Sequence, residues 1–198
     1  MKTLLTVGLV AALFILLVSQ WNALTSLSTP ERLIAAGRHP IVGETAPGFD
    51  LQTLDGDRIT LEDYAGRALI IGFWATWCQG CKKDFPVFET FVQTHDEKIG
   101  FLSICSEHSP EKAQEIVAEH GVTFPVLYDE GKVVARAYQP QSETARREVT
   151  AFPFVVIIDP GGTVIFAHVG IFATIERLVD LLAELGLPVD ARGAQAGS

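Results

Sequence analysis

One stretch limits what this chain can become: Ala68-Leu-Ile-Ile-Gly-Phe-Trp-Ala-Thr-Trp-Cys-Gln-Gly-Cys-Lys-Lys-Asp-Phe-Pro86. Residues 68–74 are an apolar run fit for a buried strand, and residues 79 to about 97 read as the helix that follows it. Cys78 and Cys81 fall at the junction, on the first turn of that helix. A thiolate is the nucleophile in disulfide exchange, and an unperturbed cysteine of pKa about 8.5 is only slightly ionised near neutrality. At a helix start, a sulfur meets unpaired backbone N–H groups and the positive end of the helix dipole, which favour the anion. The spacing also orders the pair. Cys78 at the exposed end attacks a substrate disulfide, and Cys81, one turn further in, resolves the mixed disulfide. Lys82 and Lys83 read as solvated helix-surface residues.

Other uses of a Cys-x-x-Cys fit less well. Zinc needs four ligands, and the five histidines at 39, 95, 108, 120 and 168 show no paired spacing near a cysteine. A structural disulfide across two residues restrains little chain. Haem attachment requires His after Cys81, where Lys82 stands. The pair therefore reads as a redox dithiol, with no metal and no cofactor. The remaining Cys105, near a strand end, reads as a small buried hydrophobe, and His168 as a structural histidine.

Around this centre, 198 residues suffice for one domain with appendages. Fifteen basic against twenty-four acidic residues give a net charge of -9, the wrong sign for a phosphate-neutralising surface, so nucleic acid is excluded as a partner class. Residues 1–22 are apolar after Lys2 and read as an uncleaved signal anchor and transmembrane helix, with Trp21 at the far interface and the rest of the chain outside the cytoplasm. Residues 23–40 read as a juxtamembrane tether. Phe49–Leu54 and Arg58–Leu61 alternate about Asp55-Gly56, a hairpin signal. Gly100–Ser106 reads as a second strand parallel to the first, followed by a helix from Ser109-Pro110 to Gly121. Residues 124–128 and 132–138 read as a strand and helix inserted before the sheet resumes, and 139–150 as a polar surface excursion. Phe154–Asp159 and Thr163–His168 form an antiparallel hairpin, residues 173–185 a final helix, and 188–198 a disordered tail. The globular domain is thus expected over 41–187.

Gly43-Glu-Thr-Ala-Pro-Gly-Phe49, Leu54-Asp-Gly56, Leu61-Glu-Asp-Tyr-Ala-Gly66, the Trp-Cys-x-x-Cys at 77–81 and Pro86 together resemble the TlpA/ResA/DsbE branch of membrane-anchored thioredoxin-like proteins, over about residues 41–186. The resemblance implies an α/β thioredoxin-like fold, a central mixed sheet flanked by helices, with an N-terminal hairpin and a central insert at 107–138. It implies a protein-disulfide oxidoreductase, a reductase on the periplasmic side of the cell membrane, fed by an upstream membrane thiol donor and acting on protein disulfide substrates, apocytochrome c during haem attachment among them. Residue by residue it makes Cys78 the attacking and Cys81 the resolving thiol. Trp77 becomes the flanking aromatic, and Pro153 the cis-proline that leaves the backbone of Phe152 to pair with substrate. Three departures stand out: Gly72 where thioredoxin has a buried acid, with no carboxylate nominated in its place; Gln79-Gly80 in place of Glu-Pro; and the long excursion before Pro153. Two other functions share the layout. A thiol peroxidase needs Thr or Ser three residues before its cysteine, where Ala75 stands. A copper-delivery chaperone would space its cysteines by three and add a histidine, for which His168 is the candidate.

Overall fold

The computed structural model describes residues 39–95, 98–107, 109–139 and 151–189. The expected anchor at 1–22, nearly all of the tether, most of the 139–150 excursion and most of the tail lie outside these residues. Among the described residues, no helix is long and apolar enough to cross a membrane.

Alternation about Asp55-Gly56 yields a short hairpin of β1 (Asp50–Gln52) and β2 (Arg58–Thr60), with Gly56 at φ 98 in the turn. The apolar run becomes β3 (Ala68–Trp74), buried at every residue, and the segment carrying the second cysteine becomes α1 (Gln79–Thr94). Then come β4 (Ile99–Cys105), α2 (Pro110–Glu119), β5 (Val126–Tyr128), α3 (Val133–Tyr138), β6 (Phe154–Ile158), β7 (Val164–Val169) and α4 (Ile175–Glu184). The main sheet runs β5-β4-β3-β6-β7, with β4 parallel to both β3 and β5, and β6 antiparallel to both β3 and β7.

One expectation needs correcting. The short strand at 124–128 is not set apart from the sheet: β5 pairs with β4, Ser103 opposite Val126 and Cys105 opposite Tyr128, and forms its outer strand. The backbone explains why. The Ser103 amide donates to the Pro125 carbonyl, and the Asp129 amide to the Cys105 carbonyl, each at 2.9 Å, so both ends of β5 are tied to β4. The β1–β2 hairpin then bonds to β5 through the Leu54 amide on the Val126 carbonyl, and to α2 through the Gln114 side-chain amide on the Leu54 carbonyl.

The core on one side of the sheet gathers Leu69, Ile71, Phe73, Leu102, Ile104, Leu127, Phe154 and Val156, with Tyr138 from α3 packed 5.3 Å from the Phe73 ring. Each such side chain, fully buried, contributes about 1.5–3 kcal/mol by leaving water. On the other side, Phe85 and Phe88 of α1 pack on Trp74 and Phe101. The pairing fixes where chemistry can sit. β3, the central strand, begins at Ala68 and ends at Trp74, so the residues that follow emerge at the C-terminal edge of the sheet.

Candidate active site

Cys78 is the N-cap of α1, with extended backbone at φ -80, ψ 96, and its Sγ accepts the Cys81 amide hydrogen at 3.2 Å. This is the helix-start geometry that the spacing implies, since the cap accepts from an amide that the helix itself cannot satisfy. Cys78 and Cys81 form a disulfide with an S–S distance of 2.03 Å. Their order of exposure follows the expected direction by a narrow margin, 5 % for Cys78 and 2 % for Cys81, whereas Trp77 stands 58 % exposed beside them. Lys82 is half-buried and Lys83 exposed.

Pro153 lies across the cysteines. The Phe152–Pro153 peptide is cis, the Pro153 carbonyl accepts the Gly170 amide, and Phe154 beyond it is fully buried in β6. A Cβ added at Gly80, between the cysteines, would lie in ordinary contact with Pro153 Cδ at 3.4 Å and Ile171 Cγ2 at 3.5 Å, so the helix start packs directly against this loop. The Phe152 ring lies 5.9 Å from that of Trp77. Cys78, Cys81, Trp77, Phe152 and Pro153 are thus brought to one edge of the sheet.

Sequence reasoning missed Asp84. It is fully buried one turn after Cys81, and its carboxylate accepts the Phe172 amide at 3.0 Å and the Ala173 amide at 3.2 Å. Cys81, Asp84, Gly72, Trp74, Ser103 and Pro153 line one cavity of about 10 Å³, the room of about one water molecule. Burial pushes the Asp84 carboxyl above the ordinary aspartate range, against the opposing pull of the Ala173 and Phe172 amides and of Arg177. Gly72 supplies no side chain to this cavity; a Cβ there would lie in ordinary contact with Phe88 and Phe101, at 3.6 and 3.8 Å.

Cys105 is buried and free, and burial raises its thiol pKa far above neutrality. His168 lies half-buried beside Phe166 and Phe172, its pKa lowered by burial and by Arg177.

A cysteine pair split between helix cap and helix interior, beside a cis-proline loop at the C-terminal edge of a mixed sheet, defines a thioredoxin-like thiol-disulfide oxidoreductase. The model of the AhpC/TSA family matches residues 42–167, more than half of the chain. The protein belongs to that family, and within it to the TlpA/ResA/DsbE group. The thiol-disulfide oxidoreductase ResA of Bacillus subtilis is 30% identical over 134 residues, covering 67% of this chain and 70% of its own. The thioredoxin-like protein YneN of the same organism is 28% identical over 131 residues, covering 65% and 71%. Among solved structures, a putative thiol:disulfide interchange protein DsbE from Chlorobium tepidum superposes with a TM-score of 0.60 at 24% identity, covering 72% of this chain and 96% of that one. StoA from Bacillus subtilis gives 0.56 at 22% identity, covering 70% and 96%. Both support the thioredoxin-like fold.

Proposed function

We propose that this oxidoreductase works outside the cytoplasm, tethered by residues 1–22, as a reductase of protein disulfides in cytochrome c maturation or a related assembly step. Apocytochrome c is then a substrate, and an upstream membrane thiol donor restores the dithiol. The apolar, charge-free run at 4–18 supports the tether, and relatives named ResA and DsbE support the class of reaction.

In the reduced protein the Cys78 thiolate attacks one sulfur of a substrate disulfide, forming a mixed disulfide and expelling a substrate thiolate, which takes up a proton. Asp84 receives the Cys81 proton across their shared cavity, and the Cys81 thiolate attacks Cys78 Sγ, closing the 78–81 disulfide and releasing the second substrate thiol. A carboxyl whose pKa burial has raised is better matched to a thiol than an ordinary aspartate is. Trp77, Phe152 and Pro153 receive the substrate segment. The observation that carries the reading is the division of the pair: Cys78 caps the helix next to the exposed Trp77, while Cys81 shares a cavity lining with the buried Asp84.

Trapping tests it. In a periplasmic host, Cys81→Ser in the full chain should accumulate a mixed disulfide with the physiological partner, and Cys78→Ser should not. Equal trapping by both variants overturns the assigned roles.

A further inference from the structure

Beside the cysteines stands a cation that the exchange chemistry does not use. Lys132 has φ 62 and ψ 34, a left-handed conformation that residues with a Cβ seldom adopt. Its neighbours hold it there. The Lys132 amide donates to the Asp129 carbonyl at 3.2 Å, and the buried Asp129 carboxylate accepts the amides of Val134 and Ala135 at 3.1 and 2.9 Å. The Lys132 Nζ consequently lies 5.9 Å from the centroid of the Trp77 ring and 5.9 Å from that of Phe152. Both distances are within cation–π reach. One ring immediately precedes Cys78 and the other immediately precedes Pro153, so the ammonium overlooks both walls of the approach to the disulfide. Among the described residues, no carboxylate lies within ion-pair distance of it, in a chain of net charge -9.

The surroundings are apolar. Trp77, Val133, Val169 and Ile171 are the exposed large hydrophobic residues among those described. Trp77 adjoins Cys78, Val133 adjoins Lys132, Val169 pairs with Phe154, and Ile171 faces Gly80. The backbone N–H and C=O of Phe152 make no hydrogen bond among the described residues. An extended segment bringing a sulfur to Cys78 therefore passes over aromatic and aliphatic surface, with the Lys132 charge at its side.

Given the exchange reading above, we infer that Lys132 is a specificity-determining residue: it selects protein substrates that carry an aspartate or glutamate close to the reacting cysteine, in an otherwise apolar segment. A carboxylate is attracted to the ammonium beside the two rings, and a basic side chain at the same place is repelled.

The test uses the full chain, reduced, in nonionic detergent. Single-cysteine peptides carry the cysteine as a mixed disulfide with an aromatic thiol, and Glu, Gln or Lys near it on either side. The Cys78 thiolate attacks the peptide sulfur and expels the coloured aromatic thiolate. The Cys81 thiolate then attacks Cys78 Sγ and releases the peptide thiol, so the protein dithiol is oxidised as the mixed disulfide is reduced to two thiols. The second-order rate of colour release should favour Glu over Lys peptides. Lys132→Gln should lower that ratio about fivefold, the scale of a partly exposed charge pair, Lys132→Glu should lower it further, and Lys132→Arg should keep it. The wild-type preference should fade in about 1 M salt, where the Debye length is about 3 Å. Lys112→Gln, on the exposed face of α2, should leave the ratio unchanged. An unaltered ratio in Lys132→Gln, or equal wild-type rates for all peptides, overturns the inference alone. Failure of every peptide to react, or an equal rate in Cys78→Ser, overturns the exchange reading and the inference with it.

Discussion

Asp84 Oδ1 accepts the amide hydrogen of Phe172 at 3.0 Å, tying the helix that carries Cys81 to the loop before α4 across 88 positions of sequence. The same carboxylate lines the cavity behind Cys81. A group so placed has two duties, and they can be separated by substitution.

Asp84→Asn keeps the shape and one acceptor but cannot take a proton. The resolving step should slow by about 100-fold near neutrality, the low end of what a positioned base supplies. Attack by Cys78 should change much less, so the mixed disulfide should accumulate in rapid-quench samples. Unchanged resolution would remove Asp84 from the mechanism.

Asp84 also sets a pH dependence of stability. The folded state raises its pKa, so the fold binds this proton more tightly than the unfolded chain does. That contribution is fully present below the unfolded value of about 3.9 and is lost as pH rises through the folded value. In urea melts of the oxidised protein, Asp84→Asn should therefore gain on the wild type as pH rises above about 4. A gap that moves the other way contradicts the raised pKa.

Cys105 should be silent. Buried and with its thiol pKa raised, it should resist alkylation in the native protein and react only on unfolding, as read by mass spectrometry. Cys105→Ser should cost about 1–3 kcal/mol, for a hydroxyl with no prepared partner, with disulfide exchange preserved.

Gly100 has no room for a side chain. A Cβ there would lie 2.5 Å from Tyr64 Cδ1, so the ring must move. Gly100→Ala should destabilise by about 1–3 kcal/mol in urea melts, and Tyr64→Leu in the same chain should return part of that.

Gly72→Asp should not restore what Asp84→Asn loses. A Cβ at position 72 would already contact Phe88 and Phe101, and a carboxylate carried beyond it is buried beside two rings, at a cost of several kcal/mol. Recovery of resolution in the double variant would show that position 72 still reaches Cys81.

Much of this was legible because it is local. The run from Leu69 to Trp74 has the length and apolar content of a buried strand, and cysteines at a helix start announce their chemistry by spacing. Asp84 was hidden by its company. Lys82-Lys83-Asp84 looks like a solvated charge run, yet positions 81, 84, 85, 88 and 91 share the buried stripe of α1. A carboxylate on an apolar helix face was the available signal. The partnership of β5 with β4 could not be read from three residues of strand, because parallel pairing is set by distant backbone. Lys132 was likewise opaque: its direction comes from a left-handed φ imposed by Asp129, in a stretch whose pattern reads only as the start of a helix.

Both outer strands of the sheet are partly engaged by backbone from elsewhere in the chain. The hairpin bonds to β5, and backbone from Gly43 to Ala46 bonds along the start of β7, through Gly43 on Val164 and Ala46 on Gly162. Chains whose cysteines still await pairing are extended and sticky, and bare strand borders are where such chains adhere. With those stretches of β5 and β7 already engaged, fewer backbone groups are left along the outer strands for another chain to pair with.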